Sequence, residues 1–250
     1  MDAVVLAGGK VPPELAAACP TGERALIELE GVSLLDRVLE SLRAAPEVER
    51  IIVVTTPKAL AQLPAGVEGV PSGDTLSGNL LAGAGVAKTP QVLLVTGDIP
   101  LVTGHTWSQF LNAVQDRNLD AAYPIVKRET CEIQFPGGKR TYARLRDGTF
   151  TGGNAFVLQR ARLDQLRDLI ETAYSARKNP LKLAVKLGPG FILRVAFKRL
   201  TVAYVEAKLS QLLGCRGGAI ICDDAAIGFD VDKAADLVVA AHVLQARTAA

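Results

Sequence analysis

Aromatic side chains are scarce in this sequence, and neither sign of charge dominates it. Phe, Trp and Tyr make up 5% of the 250 residues, too few for the stacking platforms that hold single-stranded nucleic acids. The 28 Lys and Arg nearly balance 26 Asp and Glu, leaving a formal net charge of +2. Nucleic-acid binders show a basic stripe or a high positive charge, so no nucleic-acid partner is expected. No stretch reaches the ~18 apolar residues that a membrane span needs, so no membrane partner is expected either. The N-terminus enters directly on Asp2-Ala3-Val4-Val5-Leu6-Ala7. It has no basic region before a long apolar run and does not read as a signal peptide. The four cysteines, Cys19, Cys131, Cys215 and Cys222, are widely spaced and lack neighbouring histidines. That pattern is unlike a zinc site, and a reduced, cytoplasmic protein is the simpler expectation. Of the two histidines, His105 and His242, neither has a partner at triad or metal spacing. A Ser-His-Asp or Cys-His nucleophile therefore has no support.

What is present is ordinary globular material: 49% hydrophobic and 22% charged residues, enough for one large α/β domain. Val4 to Leu6 is a short apolar run ending at Gly8-Gly9, as expected of a buried parallel strand. A long loop from Lys10 to Glu23 follows, with Pro12, Pro13 and Pro20. Ser33 can cap a helix to Ala44 whose apolar face is Leu34, Leu35, Val38, Leu39 and Leu42. Strands are expected at Ile51 to Thr55 and Gln91 to Val95, with a short helix between them. This alternation points to a parallel sheet with right-handed crossovers. A helix over Thr106 to Arg117 and a strand over Ala121 to Val126 come next. Lys127 to Asp147 mixes charges and glycines and reads as a hairpin or excursion. Thr149 to Leu158 holds a strand with Gly152-Gly153 inside it, which suggests close approach of a ligand or of backbone. Leu163 to Ala176 is helical, and Asn179-Pro180 starts another helix. Thr201 to Val205 reads as a strand before a helix at Ala207 to Leu213. Ile227 to Val231 reads as the last strand and Lys233 to Gln245 as the closing helix.

Several residues could carry chemistry. Gly8-Gly9 can bring backbone N–H groups close to an anion, because glycine lacks Cβ. The spacing matches neither a dinucleotide fingerprint nor a P-loop. Lys10 and Arg24 could neutralise phosphate charge, or be ordinary basic residues on a surface turn. Asp98 directly follows an apolar strand in Leu94-Val95-Thr96-Gly97-Asp98-Ile99-Pro100. Carboxyl ends of parallel strands face the ligand crevice, and a carboxylate there suits Mg²⁺. The alternative is an Asp that caps the next turn. Asp230 and Asp232, two apart on the expected last strand, would point the same way. Asp230 is the favoured second metal ligand, with Asp232 close behind or capping the closing helix; Asp223-Asp224 reads as a turn. Pro71 to Leu80, which includes Gly73 and Asn79, could pack against a base or serve as a plain helix entry. Lys182 and Lys186, with Lys178 in line, share a helix face that is more simply a solvated one.

These segments together resemble the molybdenum-cofactor guanylyltransferase-like (MobA-like) NTP transferases of the glycosyltransferase-A-like fold. The resemblance is carried by Val5-Leu6-Ala7-Gly8-Gly9, by Ala25-Leu26-Ile27-Glu28-Leu29 with Gly31, and by Val95-Thr96-Gly97-Asp98-Ile99-Pro100. Thr151-Gly152-Gly153-Asn154 and Phe229-Asp230-Val231-Asp232 before Ala235-Asp236-Leu237 complete it. It implies an α/β three-layer sandwich on a mostly parallel mixed sheet, as one domain over 1–250 with an excursion near 127–150. It implies transfer of a nucleoside monophosphate from an NTP to a phosphorylated acceptor, with Mg²⁺ or Mn²⁺ and release of pyrophosphate. Leu6, Ala7, Gly8 and Gly9 would then hold the triphosphate, and Gly73 and Asn79 would lie near the base. Gly153 and Asn154 would face the acceptor, and Asp98 and Asp230 would hold the metal. Lys10 and Arg24 would stabilise developing charge, in a monomer or homodimer. Two departures stand out. Lys10-Val11-Pro12-Pro13-Glu14 replaces the compact basic pattern of the family's first loop, and Arg24 stands where the family has lysine. Two other readings stay open: a glycosyltransferase using a sugar nucleotide on this fold, and a non-catalytic nucleotide-binding regulator.

Overall fold

A computed structural model describes residues 1–19, 21–138, 140–176 and 188–248. In chain order the first strands are β1 (Asp2–Leu6), β2 (Glu28–Leu29), β3 (Val32–Ser33), β4 (Arg50–Thr55), β5 (Val67–Pro71) and β6 (Gln91–Thr96). The later ones are β7 (Ala121–Lys127), β8 (Ala143–Leu145), β9 (Gly148–Gly152), β10 (Ala155–Gln159) and β11 (Gly217–Cys222). Nine of them form one sheet in the order β5-β4-β1-β6-β10-β7-β9-β8, with β11 pairing to β7 as well. Strands β5, β4, β1 and β6 run parallel, β10 is antiparallel to β6 and β7, and β11 is parallel to β7. The small β2–β3 hairpin stands apart.

The parallel block forms because its strands are apolar on both faces. Ala3 and Val5 join Val53, Leu93 and Val95 in one buried cluster, while Val4 joins Ile52, Val54, Val92 and Leu94 in the other. Successive side chains of a strand point to opposite faces, so both faces need a helical cover. Helix α1 (Leu34–Arg43) supplies part of one cover. Ser33 caps it by accepting from Asp36 N at 3.0 Å, and its leucines are buried as the periodicity implies. After the short α2 (Pro57–Leu60), helix α3 (Leu76–Val86) lies on the opposite face, where its Leu80 is buried beside Val4. Helix α4 (Gly104–Asp116) carries Trp107, Phe110 and Leu111 into the α1 side of the core. The remaining helices are α5 (Arg128–Gln134), α6 (Leu163–Ala176), α7 (Pro189–Ala196), α8 (Val202–Leu213) and α9 (Ala234–Thr248). The result is the expected three-layer α/β sandwich on a mixed, mostly parallel sheet. No helix among the described residues is long and apolar enough to cross a membrane.

Four local expectations are corrected. Thr201 to Val205 is not a strand but the start of α8. The Thr201 side chain caps it, Leu209 and Leu213 face the sheet at helical spacing, and left-handed Gly214 ends it. Ile227 to Val231 is not a strand either. Asp224 caps a 3₁₀ turn over Ala225–Gly228, and Phe229 to Asp232 join no strand. The strand in this region is β11, which opens on Gly217-Gly218, residues depleted in strands, before Ile220 and Ile221. Thr149 to Leu158 is two strands, β9 and β10, broken at Gly153-Asn154. At that break Gly153 N donates to Pro124 O and Asn154 N donates to Ile227 O. Edge strand β5 was not expected, because it contains Gly69 and Pro71. Proline is tolerated at an edge, where its missing N–H leaves no ladder bond open. The excursion after β7 holds α5 and the β8–β9 hairpin. The Lys178, Lys182 and Lys186 line and the helix start at Asn179-Pro180 lie outside the described residues.

Candidate functional site

The parallel strands end together, and their last hydrogen bonds fix the floor of the site. Ala7 N donates to Val54 O at 2.8 Å and Gly97 N donates to Leu6 O at 3.0 Å. Thr55 Oγ1 adds a bond to Ala7 O at 3.1 Å. Gly8 continues flat against the loop after β5. A Cβ on it would lie 2.5 Å from Ser72 Cβ, whereas one on Gly9 would meet nothing within 4 Å. The loop that follows is pinned by buried Leu15 and Cys19. It closes where Lys10 pairs with Glu23 in an isolated antiparallel bridge. The Lys10 side chain is exposed at this rim, and the next residue after the bridge, Arg24, turns inward.

Arg24 meets the acidic residues. Its Nη2 lies 2.6 Å from Asp98 Oδ2 and 2.6 Å from Asp232 Oδ1, and donates to Val231 O at 2.7 Å. Asp98 lies two residues past the end of β6, and its backbone oxygen accepts from Val231 N at 3.0 Å. That bond ties the parallel block to the C-terminal segment. Asp230 turns the other way, to Arg140 Nη1 at 2.6 Å, and the Arg140 guanidinium lies 4.3 Å from the Phe229 ring centroid. Asp98, Asp230 and Asp232 each present a carboxylate oxygen within 4.8 Å of the others. Asp98 Oδ1 is buried without a hydrogen-bond partner. Hard carboxylate oxygens, one of them unsatisfied, fit Mg²⁺ or Mn²⁺. The helix after Asp232 is not capped by it. Asp236, in the first turn of α9, accepts from Asp232 N and Lys233 N instead, which leaves the Asp232 carboxylate to the site.

Of the other expected residues, Gly73 and Asn79 bond to each other. Asn79 Oδ1 accepts from Gly73 N at 2.6 Å and its Nδ2 donates to Gly73 O at 3.3 Å. The side-chain amide thus holds the Gly73 loop and offers a base less than its sequence position suggests. Gly153 and Asn154 line a cleft of about 720 Å³ together with Arg140, Asp230, Asp232 and Lys233. Their other side borders an apolar cavity of about 550 Å³, lined by Leu6, Leu80, Thr96 and Phe156. Tyr123 borders both. Its hydroxyl approaches Gly152 so closely that a Cβ there would lie 2.0 Å away. Arg24, Asp98, Asp230 and Asp232 are thus brought together, Gly153 and Asn154 adjoin them, and Lys10 is exposed beside Glu23. Arg140 was missed from the sequence. Its partner Asp230 lies 90 residues further on, and no local spacing signals such a pair.

Burial and neighbouring charge set the proton affinities. Burial pushes the Asp98 carboxyl up, and the Arg24 guanidinium opposes the rise. Burial also pushes Asp230 up to about 6, with Asp98 adding to the rise and Arg140 opposing it. A raised carboxyl stabilises the fold when protonated; that contribution is lost as pH rises through about 6. Cation binding has the opposite sign, because it needs the carboxylate. Mn²⁺ held by this cluster should therefore bind about tenfold more weakly per pH unit below about pH 6. Calorimetric titrations across that range check this. Asp230→Asn should remove the Asp230 part of the slope, and an unchanged profile would take Asp230 out of the ligand set.

Comparisons with known proteins bear on the family and the fold. The family model described as a MobA-like NTP transferase domain matches residues 3–182. A hypothetical transferase from Thermus thermophilus is 35% identical with a TM-score of 0.78, covering 94% of this chain and 98% of its own. A 2-C-methyl-D-erythritol 4-phosphate cytidylyltransferase, also from Thermus thermophilus, is 19% identical with a TM-score of 0.57. That match covers 98% of this chain and 100% of the cytidylyltransferase. A nucleotidyl transferase from Methanothermobacter is 17% identical with a TM-score of 0.57, covering 98% of both chains. The last two show likeness of fold alone. No curated protein matches the chain significantly.

Proposed function

Because the chain belongs to the family of MobA-like NTP transferase domains, we propose that it transfers a nucleoside monophosphate from an NTP to a phosphorylated acceptor, releasing pyrophosphate. One observation carries the reading: Asp98, Asp230 and Asp232 converge on one another beside Arg24, at the carboxyl ends of the parallel strands. In open α/β sheets that is where ligands bind.

Asp98 and Asp230, with Asp232 beside them, would hold Mg²⁺ or Mn²⁺. The cation would supply charge neutralisation between the phosphates as pyrophosphate leaves. The backbone from Leu6 to Gly9 lines the NTP phosphates, since open Gly9 gives them room to approach its N–H. Ser72 and Gly73 border the base, with Asn79 keeping their loop in shape. Gly153, Asn154 and Arg140 form the wall on which the acceptor rests. The acceptor oxygen attacks the α-phosphorus in line, and an ionised acceptor phosphate needs no general base. This suits a site with no histidine among the residues it brings together. Arg24 stabilises the charge that develops on the leaving pyrophosphate.

The test is a panel of the four NTPs with Mg²⁺ or Mn²⁺ and a set of phosphorylated acceptors, read by pyrophosphate release. Metal-dependent release with one NTP is expected. Sugar transfer from a sugar nucleotide without pyrophosphate would replace this reading with a glycosyltransferase. Nucleotide binding without turnover would favour a regulatory role. Arg24, paired to the carboxylates, is the observation that favours this last outcome.

A further inference from the structure

Arg24 is placed unusually for a residue meant to grip phosphates. One nitrogen, Nη2, is surrounded by Asp98 Oδ2 at 2.6 Å, Asp232 Oδ1 at 2.6 Å and Val231 O at 2.7 Å. An arginine Nη carries two hydrogens, so three oxygens exceed what it can serve by hydrogen bonding. Two carboxylates and a backbone carbonyl converging on one point, with the Asp230 carboxylate within 4.8 Å, form part of an oxygen cage suited to a hard cation. Both carboxylates belong to the group able to hold a metal. The same guanidinium leaves its Nε buried with no partner.

We propose that Arg24 is a resident counter-ion seated in the divalent cation's own oxygen cage, so that the cation enters only as the guanidinium leaves. Two positive groups cannot share these oxygens. The base of the residue is fixed, because Ala25 and Ile27 are buried and Ile27 N bonds Arg24 O. The long side chain is therefore the part that moves. The Lys10–Glu23 bridge sets Arg24 one residue from the strand-like pairing that closes the glycine loop. The released guanidinium thus lies next to the place assigned to the triphosphate, where it meets negative charge again. Loading the metal and gripping the nucleotide become one coupled event, and coupling between two ligands is reciprocal. Metal alone must displace the arginine with nothing to receive it, and binds weakly. Metal with nucleotide binds tightly.

The proposal rests on the nucleotidyl-transfer reading, and the two can fail separately. The experiment titrates Mn²⁺ alone into wild type, Arg24→Gln and Arg24→Met, following free Mn²⁺ by electron paramagnetic resonance. Both variants are expected to bind Mn²⁺ alone about tenfold tighter than wild type. Their melting temperatures should also rise more on adding Mn²⁺. A second measurement needs no variant. Saturating Mn²⁺ should speed modification of wild-type Arg24 by phenylglyoxal, located by mass spectrometry. Variants that bind Mn²⁺ no tighter, or Arg24 reactivity that Mn²⁺ leaves unchanged, would overturn the proposal. If pyrophosphate is released while either negative result holds, the transfer reading survives and the counter-ion role falls. If Mn²⁺ displaces Arg24 but no NTP yields pyrophosphate, the counter-ion role stands and transfer falls.

Discussion

Asp98→Asn should lower the rate of pyrophosphate release by about a thousandfold or more, roughly 4 kcal/mol of transition-state stabilisation. The substitution keeps shape and removes charge at the residue that joins three parts of the site. Its carboxylate meets Arg24, its second oxygen is buried and unsatisfied, and its backbone holds Val231. The backbone bond survives the change, so the C-terminal segment stays in place. Stability should move little. Burial already disfavours the ionised Asp98, and Arg24 keeps Asp232. A melting temperature within about 3 °C of wild type is expected, which corresponds to roughly 1 kcal/mol for a chain of this size. Steady-state pyrophosphate release and a thermal melt on the same preparation separate lost chemistry from lost fold. Full turnover in the variant would remove Asp98 from the metal site.

Trp107→Ala should destabilise the protein by about 3–5 kcal/mol, a large fraction of the 5–15 kcal/mol by which domains are ordinarily stable. Trp107 is fully buried on α4, in one cluster with Val38, Leu42 and Phe110. Its indole Nε1 donates to Ser41 Oγ at 2.9 Å, and Ser41 donates in turn to Val38 O at 2.8 Å. Alanine would leave a cavity between α1 and α4 and take a partner from a buried hydroxyl. Trp107→Phe should cost less, about 1–2 kcal/mol, because the ring still fills most of the space. Trp107 is the only tryptophan, so its variants must be followed by circular dichroism in urea rather than by fluorescence. An alanine variant as stable as wild type would mean that the α1–α4 contact collapses without loss.

The parallel block was legible in the sequence because burial on both faces leaves uninterrupted apolar runs. Val4 to Leu6, Ile51 to Val54 and Val92 to Val95 could hardly be anything else. The edges were less legible. Strand β5 contains Gly69 and Pro71, and β11 begins with two glycines; pairing partners, not propensity, make both of them strands. Thr201 and Val202 misled in the opposite direction. The Thr201 side chain acts as a helix cap there, a role that β-branched composition conceals. The site divides along the same line. Asp98 could be placed because its position depends only on the strand before it. Arg140 could not, and neither could the pairing of Asn79 with Gly73 or of Arg24 with Asp232, because each depends on which groups the fold brings close.

The contact between Arg24 and Asp232 spans 208 residues, and that distance has a consequence for the order of assembly. During synthesis the glycine loop, Asp98 and the parallel block emerge first. The segment carrying Asp230 and Asp232 emerges later, after β11. A partly made chain thus holds an arginine and one carboxylate but no oxygen cage. On the proposed reading, the carboxylate cluster is therefore complete only once this C-terminal segment closes against the sheet.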